Sequence, residues 1–171
     1  MRASIAIILL VSVSVVLLWA FVVVPDSRRM VPPIAGLTAK DLYDSFEQQR
    51  DGKRHEAIDI MATRGTPVRA VVDGVIQKLF LSKPGGNTIY LFDDARQYSY
   101  YYAHLDRYTP GLRESIHVSR GEVIGFVGSS GNANPAAPHL HFMIYLLGPE
   151  KRWWQGTPIN PYPVLMQVVQ R

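Results

Sequence analysis

The chain has 171 residues, of which 47% are apolar and 19% charged, and its formal net charge is +4. This length suits one domain with a buried core, and the composition excludes a disordered or collagen-like chain. The absence of Cys excludes a disulfide scaffold, a thiolate metal site and a Cys nucleophile. Because the positive excess is small and its Lys/Arg runs are no longer than Arg28-Arg29, nucleic acid is not expected as a partner.

The N-terminal segment is an apolar run from Ala3 to Val24 that is interrupted only by serines. As a helix at roughly 1.5 Å per residue it would span about 33 Å, which matches a bilayer core of about 30 Å. A signal-peptide apolar region is shorter, about 7–15 residues, and ends at small residues, whereas this run ends in three valines and Pro25. The sequence therefore predicts an uncleaved membrane anchor over residues 1–25 and an extended, proline-containing spacer over residues 26–37.

Residues 38–171 are predicted to form one mainly β domain. A short N-terminal helix is predicted to begin at Thr38, which can cap it with Asp41 three residues later, and to end by Gly52. Beyond Gly52, short β-branched and aromatic runs alternate with Gly and Pro turns. These runs are residues 70–72, 75–76, 88–92, 98–102, 123–124, 126–127 and 140–147. The pattern predicts an antiparallel β-sheet of the split-barrel or sandwich type.

Two local patterns contain residues that could bind a metal. His55 and Asp59 stand four residues apart, and His139 and His141 stand two apart in an apolar strand, so both should project from one sheet face. A hydrolytic zinc site needs three protein nitrogen or oxygen ligands and one open position. His55, Asp59 and one of the two strand histidines would supply that set and leave imidazoles for proton transfer. His117 is interpreted as an ordinary structural or surface histidine.

The order of several motifs along the chain is more specific than any one of them. The motifs are His55-x-x-x-Asp59, Tyr-Ala-His104-Leu, the glycine-rich run 121–131 and Pro138-His-Leu-His-Phe142, with flanking matches at 65–75 and Asn160-Pro161. Together they resemble the lysostaphin/LytM-type zinc metallopeptidases, which cut peptide bonds in bacterial peptidoglycan. The resemblance covers roughly residues 38–165, and it implies a LytM-type fold.

The resemblance also implies a role for each motif residue. It assigns Zn²⁺ to His55, Asp59 and His141, and the catalytic roles to His104 and His139. His139 is predicted as the general base on the water and then the acid to the leaving nitrogen, because no HExxH glutamate is present. His104 is predicted to orient the water or stabilise the oxyanion, and the two roles could be exchanged.

Some positions depart from the family pattern or lie beside it. Ala57 and Met143 stand where the family often has Gly and Glu. Neither position is a ligand, so we expect an effect on substrate preference rather than on activity. The Tyr98–Tyr102 run and the loop 128–138 are predicted to border the substrate groove.

A peptidoglycan substrate would place the catalytic domain outside the cytoplasmic (inner) membrane. The sequence thus predicts a single-pass membrane protein whose catalytic domain is periplasmic or extracytoplasmic. One alternative is an inactive LytM-like domain that binds murein or activates a cell-wall amidase. A second alternative is a lipoyl- or biotinyl-carrier barrel, but Lys78 and Lys83 lack the hairpin-tip setting that a carrier lysine needs.

Overall fold

The computed structural model of the protein describes residues 24–50 and 52–171, so the predicted anchor lies outside the described residues except for its last two. Within the described ranges, no helix is both long enough and apolar enough to cross a membrane. The elements are two 3₁₀ turns, Ser27–Arg29 and Ala39–Asp41, strands β1 (Gln49–Arg50), β2 (Lys53–Arg54), β3 (Ile58–Met61), β4 (Pro67–Arg69), β5 (Gly74–Ser82), β6 (Gly86–Asp93), β7 (Tyr98–Tyr108), β8 (His117–Val118), β9 (Val123–Val127), β10 (His139–Leu147) and β11 (Gly156–Ile159), and helix α1 (Pro161–Val169).

Strands β3–β11 form one nine-stranded antiparallel sheet, and β1 and β2 form a separate hairpin. The main strand order is β11-β10-β7-β6-β5-β8. Strand β10 pairs with β7 along one edge and with β3 and then β11 along the other. Beyond the first residue of β10, the last residues of β7 pair with β9, which in turn pairs with β4. The predicted mainly β, antiparallel architecture is therefore confirmed.

The alternation of β7 and β10 separates the core from the opposite face of the sheet. Tyr98, Tyr100 and Tyr102 are buried in the core, where the Tyr102 hydroxyl accepts a hydrogen bond from the Val71 N–H at 3.0 Å. Each large apolar side chain that is fully buried stabilises the fold by about 1.5–3 kcal/mol. Tyr101 faces the other way, so it is the member of the tyrosine run that borders the histidines, with its ring centroid 6.0 Å from that of His141.

The predicted N-terminal helix from Thr38 to Gly52 is wrong, because the described residues of this range form the short 3₁₀ turn Ala39–Asp41 and then strand β1 in place of an α-helix. The capping box does form, with the Asp41 carboxylate accepting a hydrogen bond from the Thr38 N–H at 2.8 Å. Shortly after it, the Asp44 carboxylate accepts from the Phe46 N–H at 3.2 Å. Such a side-chain contact to nearby backbone competes with helical hydrogen bonding, and the chain continues into the β1–β2 hairpin.

The one α-helix of the described residues lies instead at the C-terminus. Asn160 caps α1 by accepting a hydrogen bond from the Tyr162 N–H at 2.9 Å, and Pro161 occupies the first helical position. Val164, Leu165 and Val168 form its buried face. The domain thus has one short helix as predicted, but at its opposite end.

Residues 26–37, predicted as an extended spacer, pack against the domain. Met30 and Ile34 are buried with the core residues of the sheet. The Val31 N–H donates to the Val71 carbonyl at 3.0 Å, and the Arg69 N–H donates to the Pro33 carbonyl at 2.8 Å. Burial of two apolar side chains explains why this segment follows the domain surface.

Candidate metal centre

The pairing of β3 with β10 brings Asp59 and His141 together. In this register Asp59 lies directly opposite His141, although 82 residues separate them in the chain. His55 precedes β3, and its backbone N–H donates to the Gln48 carbonyl at 2.8 Å. Glu56 then adopts a left-handed conformation with a φ of 55°, after which the chain enters β3. The turn and the strand register together direct three side chains to one point.

The three side chains offer a compact set of ligand atoms. His55 Nε2 lies 3.0 Å from His141 Nδ1, and Asp59 Oδ1 lies 3.2 Å and 3.1 Å from those two nitrogens. Ligands placed 2.0–2.1 Å from a tetrahedral zinc ion stand about 3.3 Å from one another. The observed separations and the nitrogen and oxygen donors therefore fit a zinc ion, and this cluster could hold a metal.

The protonation of His55 is set by its neighbours. Its Nδ1 lies 3.1 Å from the Ser45 backbone carbonyl oxygen, which can only accept a hydrogen bond. The proton of a neutral imidazole therefore belongs on Nδ1, and the lone pair belongs on Nε2, which faces Asp59 and His141. An outer partner of this kind orients a metal-binding histidine and selects its tautomer.

Asp59 is held in its charged form. Burial alone would raise the pKa of the Asp59 carboxyl, but the hydrogen bonds to His141 and His55 outweigh burial and bring this pKa well below its usual range. The carboxylate therefore remains ionised at neutral pH and can supply the negative charge that a divalent cation needs.

His104 reaches the centre through an irregularity in β7. The register between β6 and β7 shifts between Asn87 and Ile89, and His104 has a φ of 59°, in the left-handed region. A β-bulge of this type turns a side chain in a new direction. The His104 Nδ1 contacts the Ser130 carbonyl at 2.8 Å, so its proton lies there and Nε2 carries the lone pair. Burial lowers the pKa of His104 to about 4, which keeps the ring neutral at pH 7.

His139 is oriented in the same way, by a backbone carbonyl that contacts its Nδ1. Its Nδ1 contacts the Ala137 carbonyl at 2.9 Å, and its Nε2 lies 3.8 Å from Asp59 Oδ1. The ring centroid of His104 lies 4.9 Å from that of His139 and 5.5 Å from that of His141. The structure thus brings together all five residues singled out in the sequence: three could bind a metal and two present imidazoles beside them.

Other residues around the centre were not found from the sequence. Ser45 and Ser130 hold two of the imidazoles through backbone carbonyls, and Arg50 contacts Asp59 Oδ2 at 2.8 Å. The loop 128–138, which contains Ser130, was predicted to border the groove, but no sequence signal assigned the Ser130 carbonyl to His104. His117, interpreted as an ordinary histidine, lies apart on β8, where its Nε2 is 3.0 Å from the Asp94 carboxylate.

Comparisons with known proteins place this fold and site in a class. Residues 53–161 match the model of peptidase family M23. The chain is 36% identical over 120 residues to the L-Ala--D-Glu endopeptidase of Bacillus subtilis, covering 67% of this chain and 35% of that protein. It is 34% identical over 101 residues to the glycyl-glycine endopeptidase ALE-1 of Staphylococcus capitis, covering 58% of this chain and 27% of that protein.

The fold agrees with these sequence matches. The chain superimposes on the catalytic domain of the antimicrobial peptidase lysostaphin from Staphylococcus simulans with a TM-score of 0.60 and 30% identity, over 72% of this chain and 88% of that one. The chain therefore belongs to peptidase family M23 and is homologous to the lysostaphin/LytM-type endopeptidases, as its motifs indicated. It spans about a third or less of the length of the curated relatives named above.

Proposed function

We propose that this protein is a zinc-dependent endopeptidase that hydrolyses peptide bonds in the stem peptides or cross-links of bacterial peptidoglycan. The observation that carries this proposal is the convergence of His55, Asp59 and His141 with the free Nε2 atoms of His104 and His139. Two relatives whose names specify peptide bonds, L-Ala–D-Glu and glycyl–glycine, support the substrate class. The side chains that border the groove around the centre would determine which bond of the peptidoglycan peptide is cleaved.

His55, Asp59 and His141 would hold the zinc ion. When bound there, zinc supplies a Lewis acid that polarises the scissile carbonyl and lowers the pKa of water to about 7. Two neutral imidazoles and one carboxylate leave a net charge of +1 on such a centre. Asp59 contributes the negative charge, and the Ser45 carbonyl keeps His55 in the tautomer that a ligand requires.

His139 and His104 would handle the protons. Each holds its own proton on Nδ1 against a backbone carbonyl, so each has a lone pair on Nε2 that can accept another. His139 takes the role of general base on the attacking water and then protonates the leaving nitrogen, which an amide needs because its amine is a poor leaving group. His104 orients the water or donates to the developing oxyanion, and the two roles could be exchanged.

The test is digestion of purified cross-linked peptidoglycan by the full chain, with the products identified by mass. We expect new peptide ends that disappear with a chelator, with His141→Ala and with His104→Ala. His117→Ala is the matched control, since it removes an exposed histidine outside the centre. An unchanged product profile from a protein that binds one zinc per chain would contradict the peptidase proposal and favour a binding or amidase-activating domain.

We also propose that residues 1–25 anchor the protein in the cytoplasmic membrane with the catalytic domain on the outer side. The apolar run from Ala3 to Val24 and the extracytoplasmic location of the proposed substrate support this topology. In intact spheroplasts, added protease should degrade the domain, and the chain should sediment with membranes at high salt. A domain that is protected until the cells are lysed would contradict the proposal.

A further inference from the structure

Arg50 contacts the oxygen of Asp59 that points away from the histidines. Its Nη2 lies 2.8 Å from Asp59 Oδ2, whereas Asp59 Oδ1 is the atom that faces His55 and His141. The two oxygens of this carboxylate are thus divided between a guanidinium and the candidate metal ligands. No other arginine–carboxylate pair in the described residues involves the centre.

The β1–β2 hairpin holds Arg50 in this position. Arg50 pairs with Lys53 across the hairpin, and its Nη2 and Nε donate to the Gln48 side-chain carbonyl at 2.8 Å and 3.2 Å. The Gln48 backbone carbonyl in turn accepts the His55 N–H. The segment that positions Arg50 is therefore tied to one of the candidate ligands, and the guanidinium orientation is coupled to that of the site.

The contact has a consequence for how Asp59 can bind a cation. A carboxylate can use one oxygen or both, and a hydrolytic centre needs three protein ligand atoms with one position left open. The Arg50 guanidinium forms an ion pair with Oδ2 at 2.8 Å, so this second oxygen would enter the coordination sphere only if the ion pair were broken. Outer partners of this kind orient ligands, and their loss typically costs about 10–100-fold in affinity or activity.

We propose that Arg50 is a positioning residue that keeps Asp59 a one-oxygen ligand and so preserves the open coordination position. The inference rests on the proposed metal centre and deepens it. Arg50 acts through Asp59, since its side chain contacts the Asp59 carboxylate and the neighbouring Gln48 side chain.

The experiment uses Co²⁺ as the probe in the full chain, because its visible absorption is strong in four-coordinate sites and weak at higher coordination. The variants are Arg50→Ala and Arg50→Lys, with Arg54→Ala as the matched control. Arg54 lies on the same hairpin and pairs with Glu47 and Glu56 instead of Asp59. Its side chain is 50% exposed, against 42% for Arg50.

We expect the protein and Arg54→Ala to give the same strong absorption at one Co²⁺ per chain. Arg50→Ala should give weaker absorption, together with a kcat/KM about 10–100-fold lower with Zn²⁺. Arg50→Lys should recover part of the absorption and part of the activity, because an ammonium group can still form an ion pair with Oδ2.

An Arg50→Ala spectrum equal to that of Arg54→Ala would overturn the role of Arg50 while leaving the peptidase proposal intact. Failure of the unchanged protein to bind one Co²⁺ per chain would overturn both proposals. If Arg50→Ala does not fold, the Co²⁺ absorption of Arg50→Lys tests the proposal instead. An Arg50→Lys spectrum identical to that of the unchanged protein would contradict a need for the guanidinium.

Discussion

Replacing Gly86 by Ala tests whether backbone packing holds His104 in place. Gly86 has a φ of 63°, and a Cβ built there would lie 2.4 Å from the Ser130 carbonyl carbon and 2.5 Å from the Gly131 nitrogen. The Ser130 carbonyl is the group that accepts a hydrogen bond from His104 Nδ1–H, with 2.8 Å between nitrogen and oxygen. Because backbone atoms cannot rotate away as a flexible side chain can, the loop carrying Ser130 must move.

The cost has two parts that a control can separate. A left-handed conformation costs an L-residue about 1–2 kcal/mol, and overpacking costs about 1–3 kcal/mol more. Gly111 has a φ of 82° with open space where its Cβ would be, so Gly111→Ala incurs only the first cost. For a domain of this size about 3 °C of Tm corresponds to 1 kcal/mol, so Gly86→Ala should lower Tm about 3–9 °C more than Gly111→Ala does.

Activity should respond more strongly than stability. A catalytic group misplaced by about 1 Å can cost about 100-fold in rate. We therefore expect kcat/KM for release of labelled peptide from peptidoglycan to fall about 100-fold in Gly86→Ala, measured well below both Tm values. Bound zinc should remain at one per chain, because His55, Asp59 and His141 lie on other elements.

One result would refute this reasoning. Gly86→Ala could show the predicted lower Tm and yet have the same kcat/KM as Gly111→Ala. The loop would then have moved without affecting catalysis. The Ser130 carbonyl would then be dispensable for orienting His104, or His104 would not act in the reaction.

Three further predictions address stability. With a chelator present, the free energy of unfolding should fall by up to about 3 kcal/mol as the pH is lowered from 6.5 to 4. In this range His104 takes up a proton in the unfolded chain but stays neutral in the folded one, where burial lowers its pKa to about 4. Urea unfolding of His104→Gln should show a shallower pH dependence. Zn²⁺ at about 100 times its Kd should raise the free energy of unfolding by about 2.7 kcal/mol, and His141→Ala should abolish the effect in thermal melts. Asn160→Ala should cost about 1 kcal/mol through the lost cap of α1, with kcat/KM unchanged, and an unaltered Tm would contradict the capping role.

Local signals account for both the success and the failure of the element predictions. Short β-type runs between Gly and Pro turns predicted the antiparallel sheet because side-chain alternation is a local property of a strand. Thr38 and Asp41 do form the predicted capping box, yet the helix ends after one turn because Asp44 engages the backbone of Phe46. The cap of α1 at Asn160-Pro161 was equally visible in the sequence, but those residues were interpreted only as a family motif.

Within the site, sequence spacing alone determined that His139 and His141 share a face, because strand residues two apart always do. The prediction of a zinc site with nitrogen and oxygen ligands likewise followed from the types of the motif residues and their order along the chain. The strand register that sets Asp59 opposite His141, the bulge that turns His104 inward and the hairpin that brings Arg50 to Asp59 were decided only by the tertiary structure. Each of these depends on hydrogen bonds and packing between segments distant in the chain, and such contacts have no local pattern to reveal them.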